Sequence, residues 1–338
     1  MQPVRIAIVG CGQATDELHL PAALASRELE VASLVDTDGD RARYVARKYG
    51  LKCSLSRELS SDVVDGAEGV VIVTPNHTHA LLAKRALEGG RPVLVEKPMT
   101  VTYAEATDLC EIARRHGSFI SVGFVTRHYP VVPLFKRLLS EGFFGRVARF
   151  HFEYGGRGGW APASGYTLDR SQSGGGVLVT NGTHFLDRML YWFGQPDRFR
   201  YLDDSYGGVE ANCKLSMEFA EGLTGSVFLS KTMVLRNAFT MTTDRYLVEI
   251  PYLETNEITL SLHASPGVKL SAHGPQRLSA QEAFRVQLEE FGRVIRSGGT
   301  PTVSGEAGAM SVKFCEECYE RREQIDETWA WYKETASV

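Results

Sequence analysis

Three short stretches carry residues whose types and spacing suit chemistry. In "VLVEKPMT" a short apolar run delivers Glu96-Lys97-Pro98. A carboxylate and an ammonium held by a proline at the carboxyl end of a central strand are costly as core and natural as a reactive site. In "SGGGVLVTNGTHFLD", residues 173–187, three glycines lead through an apolar run to Asn181, Gly182 and His184. An imidazole titrates near neutrality, so His184 suits removal or delivery of a proton. In "IAIVGCGQAT", Gly10-Cys11-Gly12 ends the first strand and Gln13-Ala14 follows at a helix start. Glycines there permit a tight turn and let a pyrophosphate approach a helix N-terminus. The third fingerprint position is Thr15, not Gly or Ala, so looser helix–strand packing is expected there.

These stretches need elements to position them. Nearly continuous Val/Ile/Leu runs at 4–9, 31–35, 70–73, 93–95 and 119–122 alternate with helical patterns at 41–48, 79–88 and 103–116. Such strands suit a parallel sheet buried on both faces, the doubly wound α/β Rossmann architecture. After residue 123 the texture changes. A helix is expected at 130–140, then alternating segments at 146–154, 213–219, 225–231, 238–242, 245–250, 257–262 and 268–272, then helices at 280–296 and 306–322. Alternation implies a large, mostly antiparallel open sheet in an α+β domain. The expected division is a dinucleotide domain at 1–123 and a substrate-binding and oligomerisation domain at 124–338, with the active site between them. An uncovered sheet face implies a homodimer or homotetramer.

Bulk properties narrow the function classes. The chain has 338 residues, 43% hydrophobic and 23% charged, with a net charge of −4. Nothing in that balance calls for nucleic acid or an acidic membrane as partner. No apolar run approaches the length of a membrane span, and the first strand starts almost at once, so a cytoplasmic protein is expected. The six cysteines are scattered. Cys315 and Cys318 form a CxxC inside a charged helical stretch with no second ligand pair, and read as reduced helical thiols. His77 and His79 lie two residues apart with no carboxylate or thiol in the motif, so no metal site is expected.

The cofactor can be narrowed further. Asp36, ending the second strand in "LVDTD", suits hydrogen bonding to the adenosine ribose hydroxyls. A carboxylate there repels a 2′-phosphate and favours NAD over NADP, although Arg41 and Arg43 lie near enough to neutralise one. Asp38 and Asp40 read as helix N-terminal acids. Thr74, Pro75 and Asn76 fall at the carboxyl end of the next long strand, where open α/β sheets bind ligands, with His79 expected to line the cofactor site.

Taken together, these motifs resemble the Gfo/Idh/MocA family of NAD(P)-dependent oxidoreductases. The matching residues are Gly10-Cys11-Gly12, His19-Leu20-Pro21, Asp36, Thr74-Pro75-Asn76 with His79, Glu96-Lys97-Pro98, Gly123-Phe124 with Arg127 and Pro130, and Gly174-Gly175-Gly176 with His184 and Asp187. The closing segment 287–322 is similar as well. The resemblance implies hydride transfer between nicotinamide C4 and a secondary alcohol or ketone of a sugar, cyclitol or related small molecule. Lys97 would stabilise the developing alkoxide and His184 would act as general acid and base. Glu96 would hold the strand end or the nicotinamide ribose, or form a structural ion pair. Arg127 would bind substrate or cofactor or fasten the domains. Trp160, Tyr166, Thr180 and Asn181 would line the substrate pocket, with Asp169 and Arg170 nearby. His19 and His128 read as structural.

One position departs from the family pattern. Many members carry an aspartate four residues before the histidine; here Thr180 stands there. It can hydrogen-bond but cannot stabilise an imidazolium by charge, so His184 is expected to titrate lower than in Asp-bearing relatives. Asp187, three residues after His184 and about one helical turn away, reads as a surface or capping residue or else as the group that orients the imidazole. The glycines 174–176 are expected to let the chain pass close to nicotinamide and substrate. Other functions fit the same fold: glycoside elimination through transient oxidation, using Tyr166 or Asp169 as an extra acid or base; a non-catalytic cofactor-binding regulator; or a biliverdin- or imine-type reductase.

Overall fold

The computed structural model describes residues 2–158, 165–262, 267–272 and 277–325. It divides into two compact units: Met1–Tyr129 with Leu278–Lys313, and Pro130–Arg277 with Phe314–Val338.

The first unit alternates strand and helix: β1 (Val4–Val9), α1 (Leu20–Ala25), β2 (Leu29–Val35), α2 (Gly39–Lys48), β3 (Ser54–Ser56), α3 (Ser61–Asp65), β4 (Gly69–Ile72), α4 (His79–Glu88), β5 (Val93–Val95), α5 (Tyr103–Arg115) and β6 (Ile120–Val122). Its six strands are all parallel, in the order β3-β2-β1-β4-β5-β6. The order reverses at β1, and the carboxyl ends of β1 and β4 flank that switch point, where such sheets bind ligands. Helix starts are capped as their sequences demand. The Asp38 carboxylate accepts from the Asp40 and Arg41 N–H groups at the head of α2, and Thr102 with Glu105 forms a capping box on α5.

Residues 278–313, expected in the second domain, fold with the first. Ala283, Phe284, Leu288 and Phe291 of α9 (Ala280–Ser297) join Val4, Ile6, Ile8 and Leu29 in one core. Ala309 and Val312, early in α10 (Gly305–Glu320), pack with Val95 and Val122 in another. A doubly wound sheet must be covered on both faces, and these distant helices supply part of the cover.

The second unit runs through α6 (Val131–Ser140), β7 (Val147–Gly155), α7 (Arg170–Ser173), α8 (Thr183–Phe193), β8 (Arg198–Asp203), β9 (Asn212–Glu218), β10 (Thr224–Ser230), β11 (Ala238–Thr243), β12 (Leu247–Pro251), β13 (Glu257–Ser261) and β14 (Val268–Ser271), and closes with β15 (Arg322–Gln324). The sheet order is β14-β13-β12-β11-β7-β10-β9-β8-β15. The β7–β10 and β8–β15 pairs are parallel and the others antiparallel. The period-2 pattern places Phe150, Phe152, Phe239 and Met241 in the core. There Phe193 of α8 stacks on Phe150 with centroids 4.2 Å apart, and Phe135 of α6 lies 4.4 Å from Trp192. The alternate residues, among them His151, Thr240 and Glu249, make a polar face. Residue 322, expected to end a helix, instead opens β15, which pairs with β8.

Candidate active site

At the end of β1, Gly10 has φ +93°, and a Cβ there would collide with the Val73 carbonyl, so the glycine is obligatory. A Cβ on Gly12 would meet nothing within 4 Å, which leaves that side of the loop open to a ligand. Gln13 and Ala14 begin the helix and continue into a π-helical turn, Thr15–His19. Thr15 does not loosen the packing. It is fully buried, and its hydroxyl donates to the Gly10 carbonyl at 2.6 Å, closing the loop where a third glycine or alanine would otherwise sit. The Asp36 carboxylate accepts the Cys11 N–H at 2.7 Å and the Asp38 N–H at 2.9 Å. These residues fit a dinucleotide: a tight glycine turn, a helix start, and a half-buried acid beside the loop.

The carboxyl ends of β4 and β5 are tied together. His79 is 0% exposed. Its Nδ1 lies 2.9 Å from the Pro98 carbonyl and its Nε2 2.8 Å from the Thr74 carbonyl. Burial pushes its imidazole below the ordinary histidine value. Both ring nitrogens face backbone, so His79 does not line the cofactor site as expected; it fastens the Thr74-Pro75-Asn76 turn to the Glu96-Lys97-Pro98 turn. The Thr78 hydroxyl lies within this turn, 2.7 Å from Thr74 Oγ1 and 2.8 Å from the Pro75 carbonyl. Asn76 is buried, while Thr74 and Pro75 are half-buried.

Glu96 is pinned on three sides. His19 Nε2 lies 2.8 Å from Oε1, the Lys97 N–H donates to Oε2 at 3.1 Å, and a Cβ on Gly123 would come within 3.0 Å of the carboxylate. Burial opposes the charge of Glu96, but the His19 hydrogen bond and the charges of His19 and Lys97 outweigh it and hold the carboxyl below its usual range. For Lys97, burial dominates and draws the ammonium below the ordinary lysine value, with Glu96 opposing. His19, expected to be structural, is therefore a partner of the Glu96-Lys97 turn. It is 0% exposed and lies 4.8 Å from the Phe284 ring of α9. The available signal was its place in the first helix after the glycine loop, facing the strand ends. Phe124 is core, and Arg127 is buried in a 3₁₀ turn, Val125–His128, after β6.

In the second unit, Gly174 takes φ +83° where α7 ends. Gly175 and Gly176 are glycines for a reason other than the one expected. A Cβ on Gly175 would collide with the Tyr319 hydroxyl, and one on Gly176 with the Glu210 backbone. The space is taken by the protein itself rather than kept for nicotinamide and substrate. Glu210 is 1% exposed and receives four hydrogen bonds. The Gly176 and Leu178 N–H groups donate to its carboxylate at 2.9 Å each, Tyr319 Oη at 2.8 Å, and the Val177 N–H to its carbonyl at 2.9 Å. Burial raises the Glu210 pKa, opposed by those donors. A residue from the approach to β9 thus satisfies the orphan N–H groups where the next helix begins.

That helix enters through a π-helical turn, Leu178–Gly182, and continues as α8 with His184 in its first turn. The Thr180 hydroxyl lies 2.8 Å from the Gly176 carbonyl and 3.1 Å from Asn181 Oδ1. His184 is buried. Asp187 is also buried, not at the surface as expected, because it falls on the packed side of α8 with Arg188. Tyr166 is half-buried on a 3₁₀ turn, Tyr166–Leu168. Asp169 caps α7, accepting from the Ser171 N–H at 2.9 Å, the Ser171 hydroxyl at 2.7 Å and Gln172 Nε2 at 2.8 Å. Arg170 lies 4.9 Å above the Tyr319 ring. Trp160 lies outside the described residues. Cys315 and Cys318 are buried free thiols, with burial raising Cys315 to about 12. Among the described residues, no cluster of three His, Cys, Asp or Glu groups could hold a metal, and no helix is long and apolar enough to cross a membrane.

A parallel Rossmann unit with this loop, joined to a unit built on a large mixed sheet, defines a two-domain NAD-dependent oxidoreductase. Comparison with known proteins agrees. Residues 4–124 match the model of the oxidoreductase family with an NAD-binding Rossmann fold, and residues 134–248 match the GFO/IDH/MocA C-terminal domain. The chain belongs to the Gfo/Idh/MocA family and is an NAD-dependent dehydrogenase acting on CH–OH groups. It is 28% identical to D-glucoside 3-dehydrogenase of Escherichia coli, over 57% of this chain and 55% of that protein. With scyllo-inositol 2-dehydrogenase (NAD+) of Bacillus subtilis the identity is 26%, over 78% of each. A levoglucosan dehydrogenase in complex with NADH and levoglucosan shares the fold, with a TM-score of 0.83, 20% identity and coverage of 95% of this chain and 97% of that one.

Proposed function

We propose that this dehydrogenase oxidises a secondary alcohol of a sugar, cyclitol or sugar-derived molecule, or reduces the corresponding ketone, with Lys97 and His184 as the catalytic residues. NAD+, when bound, would supply the hydride acceptor, nicotinamide C4, which takes the hydride lost by the carbinol carbon. In the oxidation direction the carbinol C–H bond breaks with its electron pair and the hydroxyl proton leaves to His184. The Lys97 ammonium donates a hydrogen bond to the oxygen as negative charge develops, which lowers the barrier. His184 returns that proton when the reaction runs as a reduction. Gly10, Gly12, Gln13 and Ala14 would hold the pyrophosphate, and Asp36 would accept from the ribose hydroxyls. Thr74, Pro75, Asn76, Glu96 and Arg127 complete the cofactor side, with His79 and His19 positioning that turn. Thr180, Asn181, Tyr166 and Arg127 are assigned to the substrate.

The observation that carries this reading is the pinned Glu96 beside Lys97, at a strand end of the Rossmann sheet, with the ammonium pKa drawn down by burial. An ammonium so placed donates a hydrogen bond more readily to a developing oxyanion. The glycoside-elimination alternative loses one candidate base, because Asp169 is committed to its cap and those hydrogen bonds hold its carboxyl below the usual range. The test is a turnover screen with inositols, aldoses, keto-sugars and glycosides, followed by Lys97→Met and His184→Asn. Each substitution is expected to lower kcat by about 10²–10³-fold, with NADH still bound. Turnover at the parent rate in Lys97→Met would overturn the assignment.

A further inference from the structure

Beside Asp36 sits a cation of the kind that a 2′-phosphate would attract, and a carboxylate already holds it. Arg41 lies in the first turn of α2. Its Nε donates to the Cys11 carbonyl at 2.7 Å, its Nη2 to Asp16 Oδ2 at 3.1 Å, and its guanidinium carbon stands 5.2 Å from the Tyr44 ring centre. Asp16 is itself held on all sides. Its other oxygen accepts Lys48 Nζ at 2.7 Å, and its backbone carbonyl accepts the Tyr49 hydroxyl at 2.5 Å. Its side chain is only 11% exposed. Burial opposes its charge, but the Lys48 hydrogen bond and the charges of Lys48 and Arg41 prevail and keep it an anion.

The Cys11 residue whose carbonyl receives Arg41 also gives its N–H to Asp36 at 2.7 Å. Arg41 and Asp36 thus meet on one residue of the dinucleotide loop. In this fold an acid at the Asp36 position favours a ribose hydroxyl, and a nearby arginine accommodates a ribose phosphate. Arg43, the other cation at the head of α2, is engaged with Asp40 at 2.6 Å.

We propose that Asp16 is a specificity-determining residue, which enforces NAD over NADP by holding Arg41 so that a 2′-phosphate finds no partner there. Asp36 then repels the phosphate, and Asp16 withholds the cation that would offset the repulsion. The inference rests on the dinucleotide site alone, and the test reads binding without turnover, so it stands or falls separately from the roles given to Lys97 and His184.

The experiment is fluorescence titration of NADH and NADPH with the parent protein, Asp16→Asn, Arg41→Gln and the double variant. Asp16→Asn is expected to raise NADPH affinity relative to NADH by about tenfold, and the double variant to lose that gain. Arg41→Gln alone is expected to leave the NADPH-to-NADH ratio within about twofold of the parent, since Arg41 is already committed. The proposal is overturned if Asp16→Asn moves both nucleotides equally. It is also overturned if the double variant keeps the gain, which would assign it to Lys48, the other cation on Asp16. Should Asp16→Asn fail to fold, Arg41→Gln decides: an unchanged ratio supports the proposal, and a selective loss of NADPH binding sinks it.

Discussion

The Glu96-Lys97 turn and the entry to the His184 helix position the two side chains proposed to be catalytic by different means. In the first unit the support is made of side chains that reach the site directly. His19 touches the Glu96 carboxylate at 2.8 Å, and His79 bridges the two strand ends. In the second unit, Glu210, which accepts from the Tyr319 hydroxyl, holds the backbone before the helix through the Gly176 and Leu178 N–H groups. Side-chain support tunes charge at the reactive group; backbone support fixes the path and phase of the helix that carries it. Each unit has a π-helical turn beside a histidine: Thr15–His19 ends on His19, the partner of Glu96, and Leu178–Gly182 leads to His184. Such turns occur often at functional sites, because one added residue re-aims the side chains that follow.

The contrast can be broken from the backbone side first. Gly176→Ala would drive a methyl into the Glu210 backbone and is expected to cost about 3 kcal/mol of stability, read by urea unfolding. If the glycine instead served ligand approach, stability would hold and only the KM for substrate would rise. A smaller effect is expected at Glu210. Its pKa is raised in the folded state, so the folded protein keeps this proton after the unfolded chain has lost it. Its contribution to stability therefore declines as pH rises from about 4.5 toward the raised value, and levels off above it. Glu210→Gln should remove that decline in a pH series of melting curves; an unaltered slope would place the dependence elsewhere.

On the side-chain side, the effect should appear in pH dependence with little change in melting temperature. The Lys97 ammonium is drawn below the ordinary value by burial, with Glu96 opposing. The alkaline limb of kcat/KM should therefore lie below 10.5, and Glu96→Gln should move it further down. A limb that stays in place would mean that Lys97 does not titrate in catalysis or that Glu96 does not govern it.

Sequence alone placed five of the six Rossmann strands and most strands of the second sheet, but not β3, β8, β15 or the helix α8 that carries His184. The buried parallel strands read as continuous apolar runs, and the second sheet as period-2 alternation, because burial on two faces or one writes itself directly into residue order. The glycine loop, Asp36 and the Glu96-Lys97-Pro98 turn were legible for a similar reason: each is a local motif whose chemistry needs those residue types at that spacing. What only the tertiary structure decided involves partners far apart in the chain. The attachment of α9 to the first unit depends on which core its apolar face complements, and amphipathicity says only that such a face exists. That His19 supports Glu96, that Glu210 fills the space behind the glycines, and that Asp16 occupies Arg41 are pairings across 77, 34 and 25 residues. A side chain's charge and size are written in sequence, but its partner is set by where the folded backbone brings the two together.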